Sequence, residues 1–321
     1  MTHGRRQRTF EGRPLARPDE EVVDQGLGFD LDTLVSRRRM LGVLGLGAAG
    51  LGLAACGGGS AGSSAAASAT AASGEIPDET AGPYPGDGSN GPDVLELSGI
   101  VRSDIRSSFG DASGTAEGVP MTLELTVTDL ANGGAPFAGV AVYVWHCDRD
   151  GGYSLYSEGI TAENYLRGVQ IADAEGKVTF TSVFPACYSG RWPHVHVEVY
   201  PDQASITDST TAIATSQVAV PEDVCTAVYA TAGYESSVRT LAQVSLAEDN
   251  VFGDDDGASQ LGTVTGDVTS GYAVSLTVGV DTRTTPTGGQ LSGDGAPSGA
   301  PPSGGRGGAR PSGAAPGSPT T

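Results

Sequence analysis

Lysine is almost absent from this chain, since Lys177 is the only one among 321 residues. Basic residues of both kinds number 18 against 38 acidic ones, which gives a formal net charge of −20 at pH 7. A surface this acidic repels phosphate backbones and anionic lipid headgroups, so the composition argues against nucleic acid and anionic membrane surfaces as partners. The charge does not by itself identify a reaction.

Apolar runs are also short. The stretch over residues 40–55 is too short to cross a bilayer comfortably. It follows a twin-arginine pattern, Ser36-Arg-Arg-Arg-Met-Leu41, and ends at Leu53-Ala-Ala-Cys56, which resembles a bacterial lipobox. The order of these features predicts an export signal over residues 1–55 with Cys56 as the lipidation site. We therefore expect an exported protein, lipid-anchored to the outer face of the cytoplasmic membrane.

Two further segments differ in composition from the middle of the chain. Residues 56–74 are rich in Gly, Ser and Ala and predict a flexible tether. Residues 284–321 are rich in Gly, Pro and Ser, lack aromatic residues and predict a disordered tail. Residues 75–283 remain as one domain of ordinary size with room for a hydrophobic core.

Helix-forming patterns are scarce within residues 75–283, and the clearest covers residues 221–229, where proline precedes two acidic residues. Alternation of apolar and polar residues is common instead and predicts strands with one buried face. The predicted strands are 95–101, 121–128, 140–146, 178–181, 194–200, 212–220 and 274–280. Gly, Asn, Asp and Pro turns separate several of them. The spacing predicts an all-β fold, a β-sandwich with long loops and little helix.

Histidine is rare, and its distribution is informative. The chain has four histidines, of which His3 lies in the predicted signal, whereas His146, His194 and His196 fall in one part of the domain. Side chains alternate along a strand, so His194 and His196 project from the same face about 6 to 7 Å apart, close enough to share a metal ion. Such a pair on a solvated strand face can equally bind nothing, so the surrounding residues must decide.

Two tyrosines lie near these histidines in sequence. Tyr188 precedes His194 in a loop punctuated by Gly and Pro, and Tyr153 follows a predicted strand through the turn Asp148-Arg-Asp-Gly-Gly152. Taken singly, a tyrosine is more often a packing residue with a hydrogen-bonded hydroxyl than a metal ligand. The order of the whole set of motifs changes that reading.

The motifs are Thr80-Ala-Gly-Pro-Tyr84, Trp145-His-Cys-Asp-Arg-Asp-Gly-Gly-Tyr153, Leu166-Arg-Gly-Val-Gln170, Ala172-Asp-Ala-Glu-Gly-Lys-Val-Thr-Phe180, Phe184-Pro-Ala-Cys-Tyr188 and Arg191-Trp-Pro-His-Val-His196. In this order they resemble the intradiol ring-cleavage dioxygenases, the catechol and protocatechuate dioxygenase family. The resemblance runs from about residue 79 to residue 280. No segment resembles the helical dimerisation region of catechol-type members, so the chain is more similar to the single-domain protocatechuate-type subunit, and its oligomeric state stays open.

The resemblance implies a non-haem Fe(III) site held by Tyr153, Tyr188, His194 and His196. Phenolate oxygen is a hard donor that favours Fe(III), whereas an all-imidazole or thiolate set would favour zinc or copper. Four protein ligands leave a position open for hydroxide and then for substrate.

The resemblance also implies catalytic roles for Arg191, Gln217 and Tyr188. The Arg191 guanidinium would stabilise negative charge on the substrate, Gln217 would support it, and Tyr188 would act as a base. The implied reaction takes a catechol-type aromatic diol and O2 and cleaves the ring between its hydroxylated carbons to a cis,cis-muconate-type dicarboxylate. Which aromatic diol is used stays open.

Two other functions remain compatible with the residues. One is a different metalloenzyme, a cupin-like Fe(II) oxygenase or a copper protein that uses His146 with His194 and His196. The other is a non-catalytic β-sandwich binding lipoprotein. Absence of a tyrosinate-to-iron colour would favour the first, and failure to retain stoichiometric metal would favour the second.

The cysteines suggest one covalent link. If Cys56 is lipidated, Cys147, Cys187 and Cys225 remain, an odd number in an oxidising compartment. We expect Cys187 to pair with Cys225, because that disulfide would tie the loop carrying Tyr188 to the start of the predicted helix.

Overall fold

The computed structural model describes residues 74–287 together with two short strands, β1 (Thr9–Phe10) and β2 (Arg13–Pro14), which pair antiparallel. The chain divides into two compact units, Met1–Ala66 and Ala67–Thr321, and all elements below belong to the second. Apart from β1 and β2, the predicted signal and its lipidation site Cys56 lie outside the described residues, as do nearly all of the predicted tether and tail.

The first sheet of the second unit contains five strands. They are β3 (Pro120–Asp129), β4 (Ala135–Pro136), β7 (Lys177–Val183), β10 (Thr263–Asp267) and β11 (Gly271–Val280). Strand β3 pairs in parallel with β11 on one side and antiparallel with β7 and β4 on the other, and β10 pairs antiparallel with β11. Alternate residues of β3 are buried, as its sequence pattern predicts.

The second sheet contains four strands, β5 (Ala141–Trp145), β6 (Arg167–Ile171), β8 (His194–Tyr200) and β9 (Ala214–Ala219). Their order is β6-β5-β8-β9, and every pair is antiparallel. The valines of β5 and β8 face the core shared with the first sheet. Every residue of these two strands is nonetheless buried, so loops cover the outer face as well. The fold is the predicted all-β sandwich, and its covered outer face carries the site.

Two short α-helices follow the second sheet. Helix α1 (Glu222–Tyr229) has Pro221 at its N-cap and two acidic residues in its first turn, as predicted. Helix α2 (Glu235–Leu241) lacked a sequence signal clear enough to predict. Within residues 74–287, neither helix is long and apolar enough to cross a bilayer.

The strand predicted at residues 95–101 is wrong. The Asp93 carboxylate accepts a hydrogen bond from the Leu95 backbone N–H, and successive turn bonds follow from Leu97 to Val94 and from Ile100 to Leu97. An aspartate that bonds to its own backbone two residues on competes with strand pairing. After Ile100 only isolated bridges follow, which join Val101 to β6 and Asp104 to β7.

Two other predictions, the disulfide and the start of the tail, concern residues that the structure describes. Cys147, Cys187 and Cys225 are buried free thiols, so the structure does not contain the expected disulfide between Cys187 and Cys225. The first residues of the predicted tail contact the domain, because the Thr284 hydroxyl donates to Glu75 and the Thr287 backbone N–H donates to Asp78.

Candidate metal centre

Four side chains converge at one point on the outer face of the second sheet. His194 and His196 project from alternate positions of β8, Tyr188 comes from the loop before it, and Tyr153 comes from the loop that follows β5. The Nε2 atoms of His194 and His196 are 3.1 Å apart. Tyr153 Oη lies 3.4 Å from Nε2 of His196, Tyr188 Oη lies 3.3 Å from Nε2 of His194, and the two Oη atoms are 3.3 Å apart. The structure thus brings together all four predicted metal ligands.

These separations fit one metal ion. Four donor atoms in a closed ring with sides of 3.1–3.4 Å can all lie roughly 2 Å from one central ion, close to the usual bond length from a metal ion to imidazole nitrogen or carboxylate oxygen. Two phenol oxygens among the donors favour Fe(III) over softer ions. In residues 74–287 no group of three or more His, Cys, Asp or Glu side chains could hold a metal, so this site depends on its tyrosines.

The ring of His194 is fixed by a backbone contact. Its Nδ1 atom lies 2.5 Å from the carbonyl oxygen of Trp192, which places the proton on Nδ1 and leaves the lone pair of Nε2 for a metal. Burial, reinforced by the nearby Arg191 charge, lowers the pKa of His194 to about 3. The imidazole is therefore neutral and needs to lose no proton before it binds a metal.

His196 is held by stacking. Its ring lies parallel to that of Trp145, at an angle of 5° and a centroid distance of 4.7 Å, whereas its buried Nδ1 has no hydrogen-bond partner among the described residues. Gly82 lies against the His196 ring at a positive φ of 71°, and a Cβ at Gly82 would lie 3.3 Å from Cε1 of His196. Burial and the neighbouring His194 hold the pKa of His196 well below its ordinary value.

Both tyrosines are protonated in the absence of a cation. Burial raises the pKa of Tyr188 to about 12, although the Arg191 charge opposes this shift, and burial raises the pKa of Tyr153 still further above its ordinary value. A bound cation reverses such an effect by stabilising the phenolate. Tyr153 also packs against the ring of Tyr84, with centroids 5.0 Å apart.

Arg191 and Gln217 lie beside the four donors and contact each other. Nη2 of Arg191 donates to Oε1 of Gln217 at 2.6 Å, and Nε2 of Gln217 donates to the Thr80 carbonyl at 3.1 Å. Strand pairing places Gln217 opposite His196. The predicted arginine and glutamine are therefore joined in one network that also fixes the segment at Thr80.

Asp249 completes this network and was missed by the sequence analysis. Its carboxylate accepts from Nε of Arg191 at 3.0 Å and from Nη2 at 3.3 Å, and also from the backbone N–H groups of Trp192 and Val251. Burial opposes ionisation of Asp249, but these partners outweigh it and lower the pKa of the carboxyl. No local motif marks Asp249, because its role depends on a loop that folds back from 58 residues further on.

Glu79 is a second carboxyl near Arg191 that the sequence did not single out. Burial raises the pKa of Glu79 to about 7, the nearby Asp254 adds to the shift, and Arg191 opposes it. The Glu79 backbone N–H donates to the Thr215 carbonyl on β9. Glu79 is therefore a partly buried, titratable group at the side of the site where Arg191 lies.

His146 does not belong to the donor set. Its Nδ1 lies 2.7 Å from the Cys147 carbonyl, and its Nε2 lies 2.7 Å from the Ser182 hydroxyl on the opposite sheet. Trp145 and His146 are adjacent, so they project to opposite sides, and His146 points between the sheets. The alternative metal site that combines His146 with His194 and His196 is not formed.

A two-sheet β-sandwich that presents two buried phenols and two neutral imidazoles to one point has a donor set that could hold a metal ion. Comparisons with known proteins show what the chain is similar to. Residues 90–214, which include all four donors and Arg191, match the model of a family described as Dioxygenase. The catechol 1,2-dioxygenase of Pseudomonas sp. (strain EST1001) is 42% identical over 72 residues, which cover 22% of this chain and 23% of that protein.

Catechol 1,2-dioxygenase 2 of Acinetobacter lwoffii is 36% identical over 95 residues, which cover 30% of this chain and 33% of that protein. The matches thus span a third or less of these curated relatives. An intradiol ring-cleavage dioxygenase structure from Tetranychus urticae shares the fold, with a TM-score of 0.51 and 22% identity over 67% of this chain and 98% of that one. The chain is therefore similar to the catechol 1,2-dioxygenases over part of its length, and it shares the fold of an intradiol ring-cleavage dioxygenase structure.

Proposed function

We propose that this protein is a non-haem Fe(III) dioxygenase that cleaves a catechol-type aromatic diol between its two hydroxylated carbons. The observation that carries the proposal is the convergence of two phenol oxygens and two imidazole nitrogens at separations of 3.1–3.4 Å. The names of the two curated relatives point to catechol as a substrate, and catechol and its substituted derivatives are the compounds to test.

Tyr153, Tyr188, His194 and His196 would hold the iron. When bound, Fe(III) would draw electron density from a chelated diol and so activate the ring towards O2. The overall reaction balances without another reductant, because one diol and one O2 yield one dicarboxylic acid that contains both oxygen atoms.

Tyr188 and Arg191 have separate tasks in this proposal. Tyr188 lies nearer than Tyr153 to the chain of Arg191, whose backbone N–H donates to the Tyr188 carbonyl. Tyr188 would accept the second proton of the diol as a phenolate, the form that a bound cation stabilises. The guanidinium of Arg191, held by Asp249 and Gln217, would stabilise the negative charge that then develops on the substrate.

The test is turnover of catechol under ¹⁸O2 by the purified, iron-loaded protein. We expect about one iron per chain, a red-brown colour from tyrosinate-to-iron charge transfer, and a cis,cis-muconate-type product that carries two labelled oxygens. An extradiol semialdehyde product would contradict the proposed cleavage position. A colourless protein that is fully active with zinc would contradict the metal assignment.

We further propose that the protein is exported and lipid-anchored through Cys56, on the strength of the arginine cluster, apolar run and cysteine order. Cys56→Ser should release the protein or leave it unprocessed, and Arg37→Lys with Arg38→Lys should retain it inside the cell. Recovery of the wild-type protein as a soluble cytoplasmic species would contradict this localisation.

A further inference from the structure

Arg167 is a buried arginine that the proposed reaction does not use. It begins strand β6 and is 1% exposed. Strand pairing places it opposite Trp145, which is opposite His196, which is opposite Gln217. These four residues form one straight row across the sheet, so Arg167 lies at one end of the row that contains a metal ligand.

All five N–H groups of the Arg167 guanidinium have an acceptor. Nε donates to the Ser154 hydroxyl at 3.0 Å, Nη1 donates to the Pro85 carbonyl at 2.6 Å and the Tyr143 hydroxyl at 3.1 Å, and Nη2 donates to the carbonyls of Tyr84 and Ser154, each at 2.9 Å. Every acceptor is neutral. No ion pair with a carboxylate compensates this buried charge among the described residues.

The acceptors of Arg167 belong to two segments that flank the metal centre. Tyr84 and Pro85 end the segment in which Gly82 lies against His196, and Ser154 directly follows the ligand Tyr153. The Tyr84 ring packs on the Tyr153 ring. The Arg167 side chain therefore holds both the Tyr84–Pro85 segment and the loop that carries Tyr153 against the same sheet.

The chain around Arg167 is shaped to the guanidinium. Gly86 adopts a positive φ of 69°, and a Cβ at Gly86 would lie 2.8 Å from Nη1 of Arg167. Because Nη1 is held by Pro85 and Tyr143, it has little freedom to move away. A lysine would keep the charge but lose the planar fork that reaches both segments at once.

We propose that Arg167 is a positioning residue, which sets the substrate cleft by holding the Tyr84–Pro85 segment and the Tyr153 loop in register over the metal centre. This proposal rests on the proposed function. A misplacement of about 1 Å costs on the order of 10²-fold in rate in a preorganised site, so loosening either segment should be measurable.

The test compares Arg167→Lys and Arg167→Met with Arg102→Lys and Arg102→Met. Arg102 is a matched control, because it also donates to backbone carbonyls, those of Arg167, Ser107 and Asn164, and stacks on Phe109 away from the donors. Iron content, the tyrosinate charge-transfer band, the melting temperature, and KM and kcat for catechol are measured for each variant.

The Arg167 variants should keep iron but shift the charge-transfer band. They should lose about 10- to 100-fold in kcat/KM, mainly through KM, and Arg167→Lys should recover at most part of this loss. The Arg102 variants should lower the melting temperature but change the band and KM less than the Arg167 variants do, because Arg102 contacts Arg167 only through its backbone carbonyl. Equal melting losses in both pairs with unchanged band and KM in the Arg167 pair would overturn the proposal. The band is read without substrate, so it tests Arg167 even if wild-type protein does not turn over catechol.

A second pair of variants covers the case in which Arg167→Met does not fold. Gly86→Ala would push Nη1 of Arg167 aside without removing the charge, whereas Gly88→Ala, also at a positive φ, would meet only the Asp93 side chain at 3.0 Å. A KM increase and band shift with Gly86→Ala alone support the positioning role. Identical effects of the two alanines would contradict it.

Discussion

The Nε2 atoms of His194 and His196 face each other at 3.1 Å, although both rings are buried and neutral. Two neutral imidazoles can share such a contact only if one of the facing atoms carries a proton, and the Nδ1 contact of His194 with the Trp192 carbonyl puts its proton on the other side of the ring. Without a metal, Nε2 of His196 would therefore carry the proton and its buried Nδ1 would have no hydrogen-bond partner among the described residues. A metal ion between the two nitrogens would instead bind both Nε2 lone pairs.

His194→Ala and His196→Ala should each remove most of the bound iron, because three remaining protein ligands hold Fe(III) poorly. His146→Ala is the matched control, since His146 is equally buried but bonds to Ser182 and the Cys147 carbonyl. Iron per folded chain, measured by elemental analysis after circular dichroism confirms folding, checks this. Retention of full iron by either ligand variant would contradict the assignment.

Tyr153→Phe should remove part of the charge-transfer absorption and weaken iron retention, because one of the two phenolate donors is lost. Tyr234→Phe removes an equally buried hydroxyl that bonds to the Phe184 carbonyl and the Val119 N–H, and it should leave the spectrum unchanged. Visible absorption per bound iron is the measurement. A spectrum that is the same in the Tyr153 variant as in the wild type would mean that Tyr153 is not a ligand.

Local patterns predicted much of the fold and the pairing of His194 with His196, whereas Tyr153 and Tyr188 were implied by the family resemblance. Strand β8 was predicted with its observed bounds, His194–Tyr200, because its alternation runs from end to end. Strand β6 gave no such signal, because Arg167 and Gly168 interrupt it. The acceptors that satisfy the buried Arg167 lie 13 to 83 residues away in the sequence. A buried charge whose partners are distant cannot be recognised from its neighbours.

The proposed metal ligands and the residues that support them also differ in how far the sequence reveals them. The spacing of His194 and His196 indicates that they act together. The order of the surrounding motifs indicates a role for the two tyrosines. Asp249 has no such context, since an aspartate before a loop is ordinarily solvated, and only the fold brings it to Arg191. Sequence patterns therefore report residues that act together over short spans, whereas contacts made across the chain need the structure.

Arg191→Ala should keep most of the iron and colour while losing about 10²- to 10³-fold in turnover, as when one electrostatic partner of a developing charge is removed. Asp249→Asn should lower turnover in the same direction but less, because Arg191 keeps its contact with Gln217. Iron content and kcat are measured side by side. An Arg191 variant as active as wild type would overturn its role, and an Asp249 variant that loses iron outright would show that Asp249 supports the ligands instead.

The raised pKa of Glu79 makes stability depend on pH. Glu79 has a pKa of about 7 in the folded protein against 4.5 ordinarily, because burial and then Asp254 disfavour its charged form. Between these two values the unfolded chain loses the proton while the folded protein keeps it, so folding stability falls as pH rises from 4.5 to 7 and is level above. Glu79→Gln should therefore become increasingly stabilising, relative to wild type, across that window.

Urea unfolding of both proteins at constant metal loading, at intervals from pH 4.5 to 8.5, measures this difference. Asp281→Asn is the control of opposite sign: hydrogen bonding to Arg283 lowers the pKa of Asp281 to about 2 from 3.8, so its contribution changes only below the tested range. Its stability difference from wild type should stay level above about pH 5. If the Glu79→Gln difference is equally level from pH 4.5 to 8.5, the carboxyl is solvated in the folded protein and does not face the Arg191 side of the site.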